Sequence, residues 1–83
     1  MREKTFHHEI RKAHIRRERG EQPDYWLGYE RGLIRGIRGE QFGTEQEHEL
    51  WLGLAAEADA ALRERGRGYR DGLVMATAAE EAA

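Results

Sequence analysis

Gly28-Tyr29-Glu30-Arg31-Gly32-Leu33-Ile34-Arg35-Gly36 returns forty positions later as Gly68-Tyr69-Arg70-Asp71-Gly72-Leu73-Val74-Met75-Ala76. Four positions are identical, and Ile34 against Val74 and Gly36 against Ala76 are close. Residues four apart stack on one face of a helix. Gly28, Gly32 and Gly36 therefore form one bare ridge, and Gly68, Gly72 and Ala76 a second. Glycine inside a helix costs about 0.5–1 kcal/mol relative to alanine, a cost that close approach of two backbones can offset. The plainer reading is chance similarity between two glycine-rich helices. The sharper one is that helices two and four pack through these ridges, either within one chain or between two copies. Glu30-Arg31 becomes Arg70-Asp71 in the second run, so a roughly two-fold arrangement would set opposite charges near one another.

Outward from this repeat the pattern is helical throughout. Trp26, Tyr29, Leu33 and Ile37 step by three, four and four, the strongest core-facing stripe in the chain. That helix is expected from about Asp24, whose carboxylate can cap the first turn after Pro23, to just before Gly39. A loop over Gly39–Gly43 should tuck Phe42 under the bundle. Thr44-Glu45-Gln46-Glu47 fits a capping box and opens helix three, which runs through Leu50, Trp51, Leu52, Leu54 and Leu62. Gly66 and Gly68 are expected to interrupt it, with helix four starting near Tyr69; one helix kinked at Gly66 is the alternative. Helix one, Glu3–Arg19, carries a thin stripe of Phe6, Ile10 and Ala13 and stops at Gly20. The expectation is an all-α fold, a small bundle of four short helices in a single domain over residues 1–83. A basic first helix (1–20) precedes a core (24–76), and Glu80 to Ala83 should fray.

Composition narrows the function classes. Cysteine, serine and asparagine are absent, which removes disulfides, thiolate metal ligands and serine triads. No cofactor or metal is expected. No apolar run approaches the roughly 20 residues of a membrane span, so no membrane partner is expected and the cytoplasm is the expected location. A chain this small buries only about two-thirds of its unfolded surface, which favours a homodimer or a host partner. The net charge of −2 conceals polarity: residues 1–20 hold seven Arg/Lys against three acids, and residues 40–83 hold four against ten. Such asymmetry bears on encounter and solubility rather than on fold.

The run Gly28-Tyr29-x-x-Gly32-Leu33, followed by Gly39-Glu40-x-Phe42-Gly43-Thr44-x-x-Glu47-His48 and Trp51-Leu52, resembles a signature of short uncharacterised bacterial proteins of mobile-element type. The resemblance covers roughly residues 25–73 and leaves the basic first helix outside. It brings no activity or binding residue. It implies context alone: a phage- or plasmid-borne accessory protein, such as an anti-CRISPR-like inhibitor of a host defence complex.

The residues that could carry chemistry each have a bland counterpart. Glu45-x-x-His48 has di-iron spacing, but no second such pair exists, so His48 reads as a first-turn residue near Trp51 and Leu52. His7 and His14 share a face two turns apart, about 10.5 Å of rise, too far for one metal ion. Arg11, Lys12, Arg16, Arg17 and Arg19 make helix one basic, for phosphate, for an acidic partner, or as a solvated face beside Glu9 and Glu18. Arg31, Arg35 and Arg38 form a second stripe that could clamp carboxylates or phosphates, or else pair with the acidic start of helix three. Among the aromatics, Tyr25 lies off the main stripe and is expected to be the exposed one. The partner-binding candidates are thus Arg31, Arg35, Arg38, Tyr25, Arg16 and Arg17, and there is no catalytic candidate. A non-enzymatic protein–protein interaction module fits best. The alternative is a small nucleic-acid-binding regulator with a helix-turn-helix around Gly66-Arg67-Gly68, although the segment after that turn is acidic and apolar.

Overall fold

The computed structural model describes residues 3–82, with side chains to residue 78. Helices α1 (Glu3–Glu18), α2 (Pro23–Arg38), α3 (Glu45–Gly53) and α4 (Ala60–Ala82) are joined by short connections; 3₁₀ turns follow α2 (Gly39–Gln41) and α3 (Leu54–Ala56). Among the described residues there is no strand.

The glycine ridges set the architecture. A methyl group added at Gly28 would lie 1.9 Å from the Arg65 carbonyl oxygen, and one added at Gly68 would lie 1.9 Å from that of Tyr25. One at Gly32 would meet the Tyr69 oxygen at 2.0 Å, and one at Gly72 the Tyr29 oxygen at 2.3 Å. At the far end Gly36 faces Leu73 and Ala76. Contacts advance together along both helices, so α2 and α4 run parallel, and the forty-residue offset relates them by an approximate two-fold axis. At Gly28, Gly32, Gly68 and Gly72 the hydrogen that replaces Cβ points at a carbonyl oxygen. Such Cα–H···O contacts are worth perhaps 0.5–1 kcal/mol each and offset glycine's helical penalty.

The repeat places its two tyrosines on opposite sides of the α2/α4 pair. Tyr29 faces α1, where its hydroxyl donates to Glu9 Oε1 at 2.5 Å. Tyr69 faces α3, where its hydroxyl lies 2.7 Å from His48 Nδ1 and its ring stacks on Trp51 at 5.5 Å. Each half is a helical hairpin, with a tyrosine of its second helix bonded to a polar side chain of its first. The halves diverge at Trp26 and its counterpart Gly66. Trp26 lies beneath Lys12 and Arg16 of α1, whereas bare Gly66 lets the turn Leu54–Ala56 sit directly on α4. The core comprises Ala13, Tyr29, Leu33 and Ala76, flanked by Phe6, Ile10, Trp26, Ile37 and Met75.

Helix ends follow local chemistry, with three departures from expectation. α1 closes in a Schellman arrangement: Gly20 has φ +74°, its N–H donates to Arg17 O, and that of Glu21 donates to Arg16 O. Thr44 Oγ1 accepts from Glu47 N at 3.1 Å, as the capping box predicts. The first departure is the α3/α4 boundary, which falls at Glu57–Asp59 and not at Gly66–Gly68. Asp59 Oδ1 caps α4 by accepting from Leu62 N at 3.0 Å, and both glycines lie inside α4 at contacts with neighbouring backbone. They are packing residues there, not breakers. Secondly, α2 begins at Pro23 with Gln22 left-handed and without a side-chain cap; Asp24 accepts from Arg65 Nε at 2.8 Å instead. Thirdly, Phe42 is 39% exposed and lies under the Arg31 guanidinium, 5.0 Å away, rather than beneath the bundle. The fraying expected of Glu80–Ala83 falls where side chains, and Ala83 altogether, lie outside the described residues.

Candidate functional site

Most polar groups near the helix contacts hold the helices to one another. Glu9, 6% exposed, accepts from Tyr29 and pairs with Lys12 Nζ at 2.8 Å. Burial alone would raise its carboxyl pKa, but the hydrogen bonds from Lys12 and Tyr29, with the Lys12 charge, outweigh that and hold it below the ordinary value of 4.5. Burial, then the bond to Glu9, pushes the Tyr29 phenol up. Tyr25 is half-buried, and its hydroxyl donates to Asp71 Oδ2 at 2.5 Å. Burial and that carboxylate push its pKa up to about 12. It is a strut between α2 and α4 rather than a free interface anchor.

The candidate arginines divide in the same way. Arg35 pairs with Glu45 at 3.3 Å, and Arg31 approaches Glu47 at 3.9 Å while its guanidinium lies over both Phe42 and Trp51. This is the intramolecular pairing with the acidic start of α3, and it closes the second stripe except for exposed Arg38. The space left among Arg31, Arg35, His48, Trp51 and Tyr69 is about 10 Å³, room for one water molecule at most. Arg17 is bonded to Glu30. The two-fold charge pairing across the repeat does not form: Glu30 turns to Arg17, Asp71 to Tyr25, and Arg31 to α3.

Three cations without a carboxylate partner among the described residues stand close together along α1, next to Lys12, which is paired with Glu9. His8, Arg11, Lys12, Ile15, Arg16 and Arg19, with Glu21 at one end, line a solvent-open trough of about 590 Å³. At roughly 100° per residue the five α1 positions, with Arg19 just past its end, occupy an arc of about 140°, beside the face that carries Phe6, Ala13 and Arg17 inward. Lys12 and Arg16 are steadied by Trp26, their charges 5.7 Å and 5.2 Å from its ring. Among the described residues Arg11, Arg16 and Arg19 have no carboxylate within ion-pair distance. Ile15 lies between them, 36% exposed. The sequence named Arg11, Lys12, Arg16 and Arg19 as part of the basic face and put Arg16 among the binding candidates; that His8 and Ile15 share the arc, and that Arg17 leaves it, would have been revealed by plotting α1 at roughly 100° per residue.

A second open cleft, about 690 Å³, lies between the N-terminal ends of α2 and α4. Its charged groups are mutually occupied: Asp24 with Arg65, Glu64 with Arg67, Asp71 with Tyr25. Among the described residues no three His, Asp or Glu side chains gather as a metal site. Within the same set, no helix is long and apolar enough to cross a membrane. No family model matches the chain, and no curated protein or solved structure is significantly similar to it.

Proposed function

We propose that the protein is a non-enzymatic interaction module that works by binding another protein through its helical exterior. The observation that carries this is a cluster of cations left over once the helix contacts are made. Arg38, Arg63 and Arg70 also lack a carboxylate partner among the described residues, but Arg11, Arg16 and Arg19 stand together in one trough along α1, where they are available to another molecule. Desolvated arginines beside an apolar contact are common anchors of protein interfaces. The resemblance of the Gly28–Leu52 run to mobile-element proteins makes an inhibitor of a host defence complex, carried by a phage or plasmid, the biological setting we favour.

The same cations favour one competing reading, a nucleic-acid-binding regulator. Titration of random-sequence duplex and single-stranded DNA at about 50 mM and 200 mM salt separates the two, because phosphate contacts make affinity fall steeply with salt. Weak binding to both strands types is expected. Tight binding whose logarithm falls linearly with that of salt would move the protein to the nucleic-acid class.

A further inference from the structure

We infer that the cationic trough along α1 is a docking surface for an acidic amphipathic helix of a partner protein, laid alongside α1 with its apolar stripe on Ile15. The inference rests on the interaction-module reading and specifies its face and its occupant. The trough follows α1 from His8 to Arg19, about 16 Å or three turns, which matches a short helix rather than a point ligand. Its rims are cationic, Arg11 on one side and Lys12 and Arg16 on the other, with Ile15, His8 and Arg19 along the middle. A helix carrying leucine at every third or fourth position and glutamate on both flanks complements this arrangement in charge and in apolar contact. Trp26 holds Lys12 and Arg16 in place before any partner arrives, which lowers the entropic cost of binding.

Two other occupants fit less well. Duplex DNA would extend past the trough onto the adjoining arc of α1, where Glu3 and Glu18 stand beside His7 and His14. A second copy could offer the acidic exterior of α3, but α1 and α3 cover opposite sides of the α2/α4 pair. An α1-to-α3 contact between copies would therefore be head-to-tail, building a ring or a filament rather than a two-fold dimer.

The test uses the full chain and a fluorescein-labelled helical peptide with a leucine stripe flanked by glutamates. A matched peptide has lysine for glutamate. By fluorescence anisotropy the glutamate peptide should bind, weaken several-fold between about 50 mM and 200 mM salt, and outcompete the lysine peptide. Arg11→Glu with Arg19→Glu, both exposed and outside the core, should weaken binding at least about tenfold with the helical circular dichroism unchanged. Ile15→Ala should cost about fivefold through lost apolar contact. Arg70→Glu, an equal change of sign on exposed α4, should leave affinity within about twofold. Undiminished binding by the Arg11/Arg19 variant, or no peptide binding at about millimolar concentration, overturns the inference while leaving the interaction-module reading in place. Displacement of the peptide by a short DNA duplex overturns both. Growth of the sedimentation coefficient with protein concentration, without peptide, that the Arg11/Arg19 variant abolishes would assign the face to self-association instead and overturn the inference.

Discussion

Glu9 is the only buried charged residue among the described ones, and what it touches explains why the narrow apolar stripe of α1 suffices to dock that helix. A carboxylate taken from water is tolerated only if it is paired and hydrogen-bonded. Lys12 supplies the charge and Tyr29 the phenolic hydrogen bond, so α1 joins the core through a polar contact as well as through Ala13. Because the folded protein holds the Glu9 proton less tightly than the unfolded chain, the contribution is present above pH 4.5. It is lost as pH falls below that value. Urea midpoints measured from pH 7 to pH 3 should fall less steeply for Glu9→Gln than for the parent protein, with a lower midpoint for the variant at pH 7. Equal slopes would remove Glu9 from the acid response. Tyr29→Phe strips the same carboxylate of a donor and should cost about 1–3 kcal/mol at neutral pH.

At the level of elements, the parallel pair α2/α4 shows why glycine must be judged by what it faces. Gly28→Ala would push a methyl group into the Arg65 carbonyl and force two backbones apart, a cost of about 1–3 kcal/mol or more despite alanine's better helix propensity. Gly53, at φ −66° with nothing within 4 Å of an added Cβ, lies at the end of α3 in the open. There the propensity term acts alone, and Gly53→Ala should stabilise by about 0.5–1 kcal/mol. Chemical denaturation of the two variants should move the midpoint in opposite directions; a Gly28→Ala protein at least as stable as the parent would contradict the packing described. The same distinction explains the displaced α3/α4 boundary. Gly66 and Gly68 look like helix stops in sequence, but their missing side chains admit Ala55 and Tyr25 backbone, while Asp59 supplies the true start signal.

Across the whole molecule stability should be uneven. α3 has no buried residue, and Leu50 on it is 65% exposed, whereas α2 and α4 interlock along their length. Native-state hydrogen exchange should find α3 amides opening at lower free energy than those around Gly28–Leu33 and Gly68–Leu73. Uniform protection across the three helices would argue against this hierarchy. The sequence by itself determined the helical class, the two bare glycine ridges, the Tyr29–Leu33 core stripe and the Thr44 cap. Each of these is written in local spacing: four-residue steps, one repeat, one capping pattern. Tertiary structure alone decided that the ridges pair within one chain and run parallel, that Asp24 serves Arg65 rather than its own helix end, and that Arg31 and Arg35 turn to α3 while Arg11, Arg16 and Arg19 find no carboxylate among the described residues. Charged side chains are long and choose partners from whatever the fold brings within about 4 Å, so their roles depend on neighbours distant in the chain, and spacing along the chain does not encode those neighbours.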